Sequence, residues 1–218
     1  MSGVLWPGSQ REFELNPRKT RLVCEERANL VTHGCGAVLA LVGAVAVAVR
    51  SIASEHEWLT AGCLIYAVSL FALYLTSALS HCFLRGRAKH TFRSLDQICI
   101  FLFAAGNFTP VGLMIIHEGG GGLVLTGMWV LALSGIAAKL FVTGIRNVPV
   151  IFYIGVGWMP GLVFWQMAEF LPPVGMSLVI GGAALYMLGT VFYLNDLRYP
   201  YFHAAWHVLV MGGSLAHF

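Results

Sequence analysis

The stretch WLTAGCLIYAVSLFALYLTSALSHCF, residues 58–83, contains no Lys, Arg, Asp or Glu, and it decides the fold class. A helix needs roughly 20 consecutive apolar residues to cross the hydrocarbon core of a bilayer, and this stretch exceeds that length. The whole chain has the same character, because 58% of its 218 residues are hydrophobic and only 11% are charged. Soluble globular domains carry about 25% charged residues, so the composition excludes an ordinary soluble protein.

Six other apolar windows follow the same pattern, and short loops join all seven. The windows are residues 30–49, 58–83, 98–116, 123–142, 148–170, 174–194 and 202–218. We therefore predict an all-α integral membrane protein with seven transmembrane helices. Residues 27–218 form its single membrane domain, and residues 1–26 form a cytoplasmic N-terminal tail.

The basic residues predict the orientation of the chain. With a cytoplasmic N-terminus, all thirteen Lys and Arg residues except Arg50 lie on the cytoplasmic side, in the tail or in the loops after spans 2, 4 and 6. They are Arg11, Arg18, Lys19, Arg21, Arg27, Arg85, Arg87, Lys89, Arg93, Lys139, Arg146 and Arg198. The opposite loops carry Glu55, Glu57, Glu118 and Glu169. Excess Lys and Arg inside is the usual pattern of membrane proteins, so we predict that the C-terminus is outside.

Composition and the N-terminal segment argue against several other classes. Residues 1–26 contain no apolar stretch before a small-residue cleavage site, so we expect no secretory signal peptide. The net charge of +3 requires no polyanionic partner, and we expect no nucleic-acid binding. The five cysteines show no C-x-x-C spacing, which indicates neither a disulfide framework nor a thiolate metal site. The compact form suggests a bacterial inner-membrane protein.

Five polar residues fall in one predicted layer near the cytoplasmic surface. Ser77 and His81 lie at the end of span 2, Asp96 at the start of span 3, and His203 and His207 at the start of span 7. Residues at i and i+4 share a helix face, so the two imidazoles of H-x-x-x-H can converge on one ion. Ionisable residues within membrane helices are rare and mark functional sites. A shared site explains their common depth better than coincidence does.

The residue types in this layer suit a zinc centre. Catalytic zinc sites commonly use three protein ligands, with water in the fourth position, and we predict His81, His203 and His207 as the ligands. Asp96 would orient a ligand or accept a proton from the bound water, and Ser77 would hydrogen-bond to that water or to substrate. Zinc is favoured over copper, nickel or iron(II) by availability and by the all-imidazole ligand set.

Plainer interpretations compete with each of these signals taken alone. A histidine at a membrane interface commonly caps a helix or extends toward water. Glu26, Asn29 and His33 share one helical stripe at the start of span 1. They either support the site or serve as a helix cap and interfacial packing. His217 lies about 15 Å along its helix from His207, so we predict that it does not bind the same ion.

Small and kinking residues are expected to shape the helices. Proline lacks a backbone donor, so Pro110 and Pro160 are expected to kink spans 3 and 5. Small residues allow helices to approach closely. We predict this role for Gly155, Gly157, Gly161, Gly181 and Gly182.

Six short stretches between residue 26 and the C-terminus carry a family resemblance. They are ERANLVTHG (26–34), SALSH (77–81), LD (95–96), AGNFTP (105–110), YFHAAWH (201–207) and GGSLAHF (212–218). With them the chain resembles the hemolysin III proteins, the bacterial branch of the PAQR (progestin and adipoQ receptor) group. One departure is Asn107-Phe108, where the family usually shows Thr-Tyr, and Asn at that point alters the polarity near the middle of span 3.

The resemblance implies a fold, a metal site and a class of chemistry. It implies seven helices with a cytoplasmic N-terminus, and a zinc ion held by His81, His203 and His207. It also implies that Asp96 and Ser77 lie near the zinc-bound water. The group includes the adiponectin receptors. It belongs with the alkaline ceramidases to a wider superfamily of membrane metal-dependent hydrolases, members of which are linked to ceramide-type amide hydrolysis.

Three functions remain open at this point. The first is a zinc-dependent hydrolase that cleaves a lipid amide or ester, with membrane lipids as partners and substrate. The second is a receptor or regulator of membrane state, in which zinc is structural. Structural zinc usually has four protein ligands, so direct coordination by Asp96 would favour this function. The third is a pore-forming cytolysin, as the family name suggests.

Overall fold

The computed structural model describes residues 17–51, 56–142 and 148–218. Residues 1–16 of the predicted tail lie outside these ranges. Three charged residues used to predict the orientation, Arg11, Glu55 and Arg146, also lie outside them. All regular elements within the described ranges are helices.

Eight α-helices and one 3₁₀ segment make up the described part of the chain. They are α1 (Pro17–Ser51), α2 (Glu57–His81), α3 (Arg87–His117), α4 (Leu123–Phe141), α5 (Val150–Trp158), the 3₁₀ segment (Met159–Val163), α6 (Phe164–Phe170), α7 (Pro173–Leu194) and α8 (Phe202–His217). Because α5, the 3₁₀ segment and α6 follow one another directly, they form one interrupted span. The eight helices therefore correspond to the seven predicted spans.

Six of these spans, formed by α1 to α7, are long and apolar enough to cross a membrane within the described ranges. The last helix, α8, has 16 residues and covers about 24 Å at 1.5 Å per residue. That is shorter than the hydrocarbon core of about 30 Å. The all-helical membrane architecture is confirmed. The seventh helix is short, as the predicted window at residues 202–218 was.

The two prolines affect their helices differently. Pro160 lies in the 3₁₀ segment that interrupts the fifth span, as expected for a residue without a backbone N–H. Pro110 lies inside α3, which runs without interruption from Arg87 to His117.

Helix α3 is central to the bundle. It packs against α2 on one side and against α4, α5 and α6 on the other, while α7 pairs with α8 and α8 packs against α1. One buried cluster, around Phe108 and Met128, joins α3 to α4, α5 and α6. A second cluster, around Leu70 and Phe103, joins α1, α2 and α3.

Large apolar side chains cover the outside of the bundle. Leu39, Leu123 and Trp165 are 65%, 84% and 81% exposed. Soluble monomers rarely expose contiguous apolar surface, whereas lipid solvates such a surface. Helices also satisfy their own backbone hydrogen bonds, which the bilayer core requires. The surface is therefore suited to a lipid environment.

A buried hydrogen-bond hub at Ser214 joins α2, α7 and α8. The Ser214 hydroxyl donates to the Val210 carbonyl at 2.9 Å. Its oxygen can then accept from the hydroxyls of Tyr74, at 2.9 Å, and Tyr186, at 3.1 Å. The Tyr66 hydroxyl donates to the Ser214 carbonyl at 2.6 Å. Three tyrosines thus fix the depth of α8 in the bundle.

The prediction of close packing at five glycines is wrong for four of them. A Cβ built at any of the four meets no neighbouring atom nearer than 3.9 Å: Gly155, Gly157, Gly161 and Gly181. Only Gly182 lies in close approach, against His217. Two of the other four, Gly157 and Gly161, line a cavity. Small side chains permit close approach, but they do not ensure that a neighbour is present.

Candidate metal centre

The three predicted ligands meet at one end of the bundle. His81 is the last residue of α2, and His203 and His207 lie on one face at the start of α8. One ligand nitrogen from each ring lies within 4.8 Å of the other two. The ring centroid of His207 lies 5.3 Å from that of His81 and 4.7 Å from that of His203. The three residues can therefore hold one metal ion.

A strained turn positions the start of α8. Tyr201 has φ 61°, a left-handed conformation that non-glycine residues adopt infrequently. Its carbonyl accepts the Ala205 N–H at 2.9 Å, and α8 begins at Phe202, one residue before His203. Unusual backbone conformations persist where the surrounding structure holds them, often at functional sites.

Two carboxylates orient the rings of His81 and His203. His81 Nδ1 lies 2.6 Å from Glu26 Oε2, and His203 Nδ1 lies 2.7 Å from Asp196 Oδ2. Lys89 Nζ lies 3.0 and 2.9 Å from the two oxygens of Glu26 and balances its charge. An ionised carboxylate only accepts hydrogen bonds, so each Nδ1 carries the hydrogen. In the neutral ring, Nε2 then keeps a free lone pair.

Thr32 of α1 orients His207 in the same way. The Thr32 hydroxyl donates to the helix carbonyls of Ala28 and Asn29, at 3.0 and 2.9 Å. Its oxygen therefore accepts from His207 Nδ1, 3.0 Å away. The Asn29 backbone also hydrogen-bonds to the His207 ring. His207 Nε2 is buried and has no hydrogen-bond partner within the described ranges.

This arrangement of nitrogens fits a divalent metal ion. Leaving a buried polar atom unpaired costs about 1–3 kcal/mol, and an ion among the three rings would give His207 Nε2 a partner. Metal-binding histidines almost always donate the other ring N–H to a carboxylate, a carbonyl or water. All three rings here have their Nδ1 occupied by an oxygen of a neighbour. The donor set suits zinc and similar metals.

Asp96 and Ser77 lie beside the three histidines. Ser77 is buried, one turn before His81 on α2, and its hydroxyl donates to the Asp96 carboxylate. Asp96 lines the same cavity as His81 and His203. Within the described ranges, no carboxylate belongs to the group of ligand atoms that lie within 4.8 Å of one another. Asp96 thus borders the cavity without joining the ligand group.

The stripe of Glu26, Asn29 and His33 faces the same centre. His33 is 2% exposed, and its ring stacks on that of His207 with 3.5 Å between centroids and 14° between planes. Asn29 is also buried and contributes backbone hydrogen bonds. Since α1 begins at Pro17, the three residues lie inside the helix and do not cap it.

Sequence reasoning missed Asp196, Thr32 and Lys89. Asp196 lies seven residues before His203 in the loop that precedes α8, and a carboxylate in the same predicted layer was the available signal. Thr32 lies one turn after Asn29 and belongs to the same side of α1. Lys89 was treated only as part of the charge pattern.

A cavity of about 950 Å³ begins at the metal centre and extends into the bundle. Its lining includes His81, His203 and Asp96 at one end of the bundle, and Asn107 and His217 deeper in the bundle. The rest of the lining is mainly apolar or aromatic, including Phe103, Trp206, Val210, Ile180 and Met187. Ligand pockets in proteins commonly measure about 300–1,000 Å³ and are mostly apolar. The cavity is therefore large enough for a lipid chain.

Known proteins similar to this chain cover nearly all of its length. The family model described as Haemolysin-III related matches residues 22–218. Hemolysin-3 of Bacillus cereus is 36% identical over 200 residues, covering 90% of each chain. The Hemolysin-3 homolog of Bacillus subtilis (strain 168) is 33% identical over 195 residues, covering 89% of this chain and 91% of its own. The monocyte to macrophage differentiation factor of Homo sapiens is 27% identical over 206 residues, covering 89% and 82%.

Proposed function

Since the chain belongs to the haemolysin-III-related family and is a multi-pass integral membrane protein, we propose that it is a zinc-dependent hydrolase of lipid amides or esters. One observation carries the proposal: three histidines with free Nε2 lone pairs form one group, and two of them, His81 and His203, line a mainly apolar cavity. The histidines can hold a metal, and the cavity can bind an acyl chain. We further propose a bacterial inner membrane, with the centre near the cytoplasmic leaflet.

The roles of the residues follow from their positions. His81, His203 and His207 would hold the ion through Nε2. When bound, zinc would supply a Lewis acid and lower the pKa of water to about 7. Asp96 would accept the proton of the attacking water and return it to the leaving amine or alcohol, as a general base and then a general acid. Ser77 would orient the Asp96 carboxylate. A carbon–oxygen bond forms while the amide or ester bond breaks.

The shape of the bundle supports a lipid substrate. Trp158 lines the cavity and is also 57% exposed on the outside of the bundle. It ends α5 at the interrupted span, where Gly157 and Gly161 leave open space. The cavity therefore reaches the face of the protein that lipid would cover. We propose that substrate enters sideways from the bilayer at this point.

A structural metal in a receptor is the second candidate, and the ligand count favours catalysis over it. Structural zinc sites are almost always closed by four protein ligands, whereas catalytic sites keep one position open. The group here contains three histidines, and no carboxylate of the described residues joins it. An open fourth position is what a reacting water requires.

Turnover in reconstituted protein tests the proposal. We expect wild-type protein in nanodiscs to release fatty acid from a panel of ceramides, other N-acyl amides and lipid esters. Activity should fall to background in His81→Ala and on chelation, and added zinc should restore it only in the wild type. The control is His117→Ala, which removes an exposed histidine stacked on Trp58 at the opposite end of α2. Turnover that persists in His81→Ala would contradict a metal-dependent mechanism.

The names of the two Bacillus relatives suggest lysis, which a leakage assay separates from hydrolysis. We expect dye-loaded liposomes of a lipid that is not hydrolysed to stay intact when the protein is added. Leakage that is equal for wild type and His81→Ala would instead support a cytolysin.

A further inference from the structure

A second polar group lines the cavity away from the metal centre, where Asn107 of α3 meets His217 of α8. His217 Nδ1 lies 3.0 Å from Asn107 Nδ2 and 3.2 Å from Oδ1, and His217 Nε2 lies 3.0 Å from the Val179 carbonyl. Both side chains line the same cavity as His203. Neither belongs to the metal centre.

The hydrogen bonds of this pair leave capacity for a ligand. A carbonyl only accepts, so His217 Nε2 carries the hydrogen and donates it to Val179. In the neutral ring Nδ1 then accepts, and its donor is Asn107 Nδ2. The Asn107 side chain therefore has an acceptor oxygen and a second N–H that this exchange does not use. Both belong to a residue that lines the cavity.

Residues of the neighbouring helix α7 fix the position of the His217 ring. A Cβ at Gly182 of α7 would overlap the His217 ring, so only glycine leaves room for it there. The ring of Tyr186 contacts the other side of His217 nearly edge-on, with 5.4 Å between centroids. The imidazole is thus held in a fixed place from which it orients Asn107.

Two helices give the same distance from this pair to the metal centre. His217 follows His207 by ten residues, and Asn107 follows Asp96 by eleven. At 1.5 Å per residue the two separations are about 15 and 16.5 Å. An extended chain advances about 3.5 Å for every three bonds, so this distance corresponds to about 13 bonds.

We propose that Asn107, positioned by His217, binds a hydroxyl group in the middle of an acyl chain. The hydroxyl would lie about 13 bonds from the carbonyl at the metal centre, a placement that rests on the proposed function. A hydroxyl both donates and accepts, which matches the oxygen and the N–H of the Asn107 amide. The charged residues of the described cavity lining lie toward the metal centre, so a charged group beside Asn107 would be costly to bury. The ligand class is therefore a lipid with a mid-chain hydroxyl.

A binding measurement that does not depend on hydrolysis tests this inference. Protein in nanodiscs is loaded with a fluorescent fatty acid, which is displaced by octadecanamide or by the same amide hydroxylated at about carbon 13. One hydrogen bond is worth about 0.5–1.5 kcal/mol, so we expect the hydroxylated amide to bind about two- to twelvefold tighter. In Asn107→Leu this ratio should fall to about one, while the plain amide still binds.

Two further variants guard against a general loss of structure. Gly182→Ala leaves the Asn107 side chain in place but displaces His217, and it should also lower the ratio. Thr109→Val is the control, because Thr109 lies two residues from Asn107 on α3 and does not line the cavity; its hydroxyl donates to the Ala105 carbonyl at 2.8 Å and accepts from Trp129 Nε1 at 3.1 Å. It should keep the wild-type ratio.

The possible outcomes separate this inference from the proposed function. Equal binding of the two amides by the wild type, no binding of either, or an unchanged ratio in Asn107→Leu would overturn the hydroxyl subsite. If the wild type binds the hydroxylated amide about tenfold tighter but hydrolyses no lipid, the hydroxyl subsite is supported and only the proposed hydrolase activity is contradicted. Turnover without a preference would support the hydrolase and overturn the subsite.

Discussion

Glu26 and Asp196 each hold one imidazole of the metal centre through its Nδ1, at 2.6 and 2.7 Å. Loss of such a supporting group typically lowers metal affinity 10–100-fold. We expect Asp196→Ala to weaken zinc binding by about this factor, measured by competition with a chelator of known affinity. The control is Glu25→Ala, because Glu25 pairs with Arg21 at 2.8 Å rather than with a histidine of the metal centre. Equal affinities for Asp196→Ala and wild type would remove Asp196 from the site.

Asp96 lies beside the ligands, so its substitution should separate chemistry from binding. We expect Asp96→Asn to retain metal and to lose about 10²–10⁴-fold in turnover, because the amide cannot take up a proton. Metal content and turnover are measured on the same preparation. Loss of the metal together with turnover would identify Asp96 as a fourth ligand and favour a structural site.

Sequence reasoning located the three histidines, but it did not find all of their partners. The i, i+4 spacing of His203 and His207 and the charge-derived depth of His81 predicted the group, because helix geometry and topology are regular. Asp196 lies in a loop, where no periodicity relates a residue to its neighbours in space. The stacking of His33 on His207 depends on the packing of α1 against α8, which no local pattern encodes.

At the scale of the helices, Ser214 is the residue on which the placement of α8 depends. Ser214→Ala would remove the acceptor for the hydroxyls of Tyr74 and Tyr186, and a buried donor without a partner costs about 1–3 kcal/mol. We expect a clear fall in the thermal unfolding temperature in detergent. Ser134→Ala is the control, since Ser134 is exposed and its hydroxyl donates to the Val130 carbonyl of its own helix. Equal unfolding temperatures for the two variants would contradict this role.

The apolar windows predicted the number of spans better than they predicted where helices begin. Window 1 begins at residue 30 and window 3 at residue 98, yet α1 begins at Pro17 and α3 at Arg87. Hydropathy reports the length of chain that lipid solvates, whereas a helix continues into the polar interface. The added turns carry Glu26, Lys89 and Asp96. The interruption at Pro160 was expected from the missing N–H, but its 3₁₀ geometry was not.

At the scale of the whole molecule, the charge pattern predicts that the metal centre is near the cytoplasmic surface. In a variant without the five native cysteines, we expect Gly121→Cys to react with an impermeant maleimide on intact cells. Arg85→Cys, in the loop next to His81, should react only after the membrane is opened. The reverse labelling would contradict the predicted orientation.

The cavity is the feature of the whole molecule that the sequence did not reveal. A cavity forms where neighbouring helices are not in contact. The periodicity of apolar residues in the sequence indicates which helix faces are buried, but not how closely those faces pack. Gly157 and Gly161 illustrate the difference, because they were expected to bring helices together and instead line open space. Asn107 stood out as an unusual polar residue, but its partner His217 became clear only when α3 and α8 were seen together.

Metal content is the measurement that tests the central claim most directly. Detergent-purified wild type and His207→Ala are compared by elemental mass spectrometry, because His207 Nε2 is the buried atom that lacks a partner within the described ranges. We predict about one zinc per chain in the wild type, because His81, His203 and His207 form one group of ligands, and almost none in the variant. Freshly purified wild type without metal, or a variant that keeps it, would contradict the assignment of His81, His203 and His207 as a metal centre.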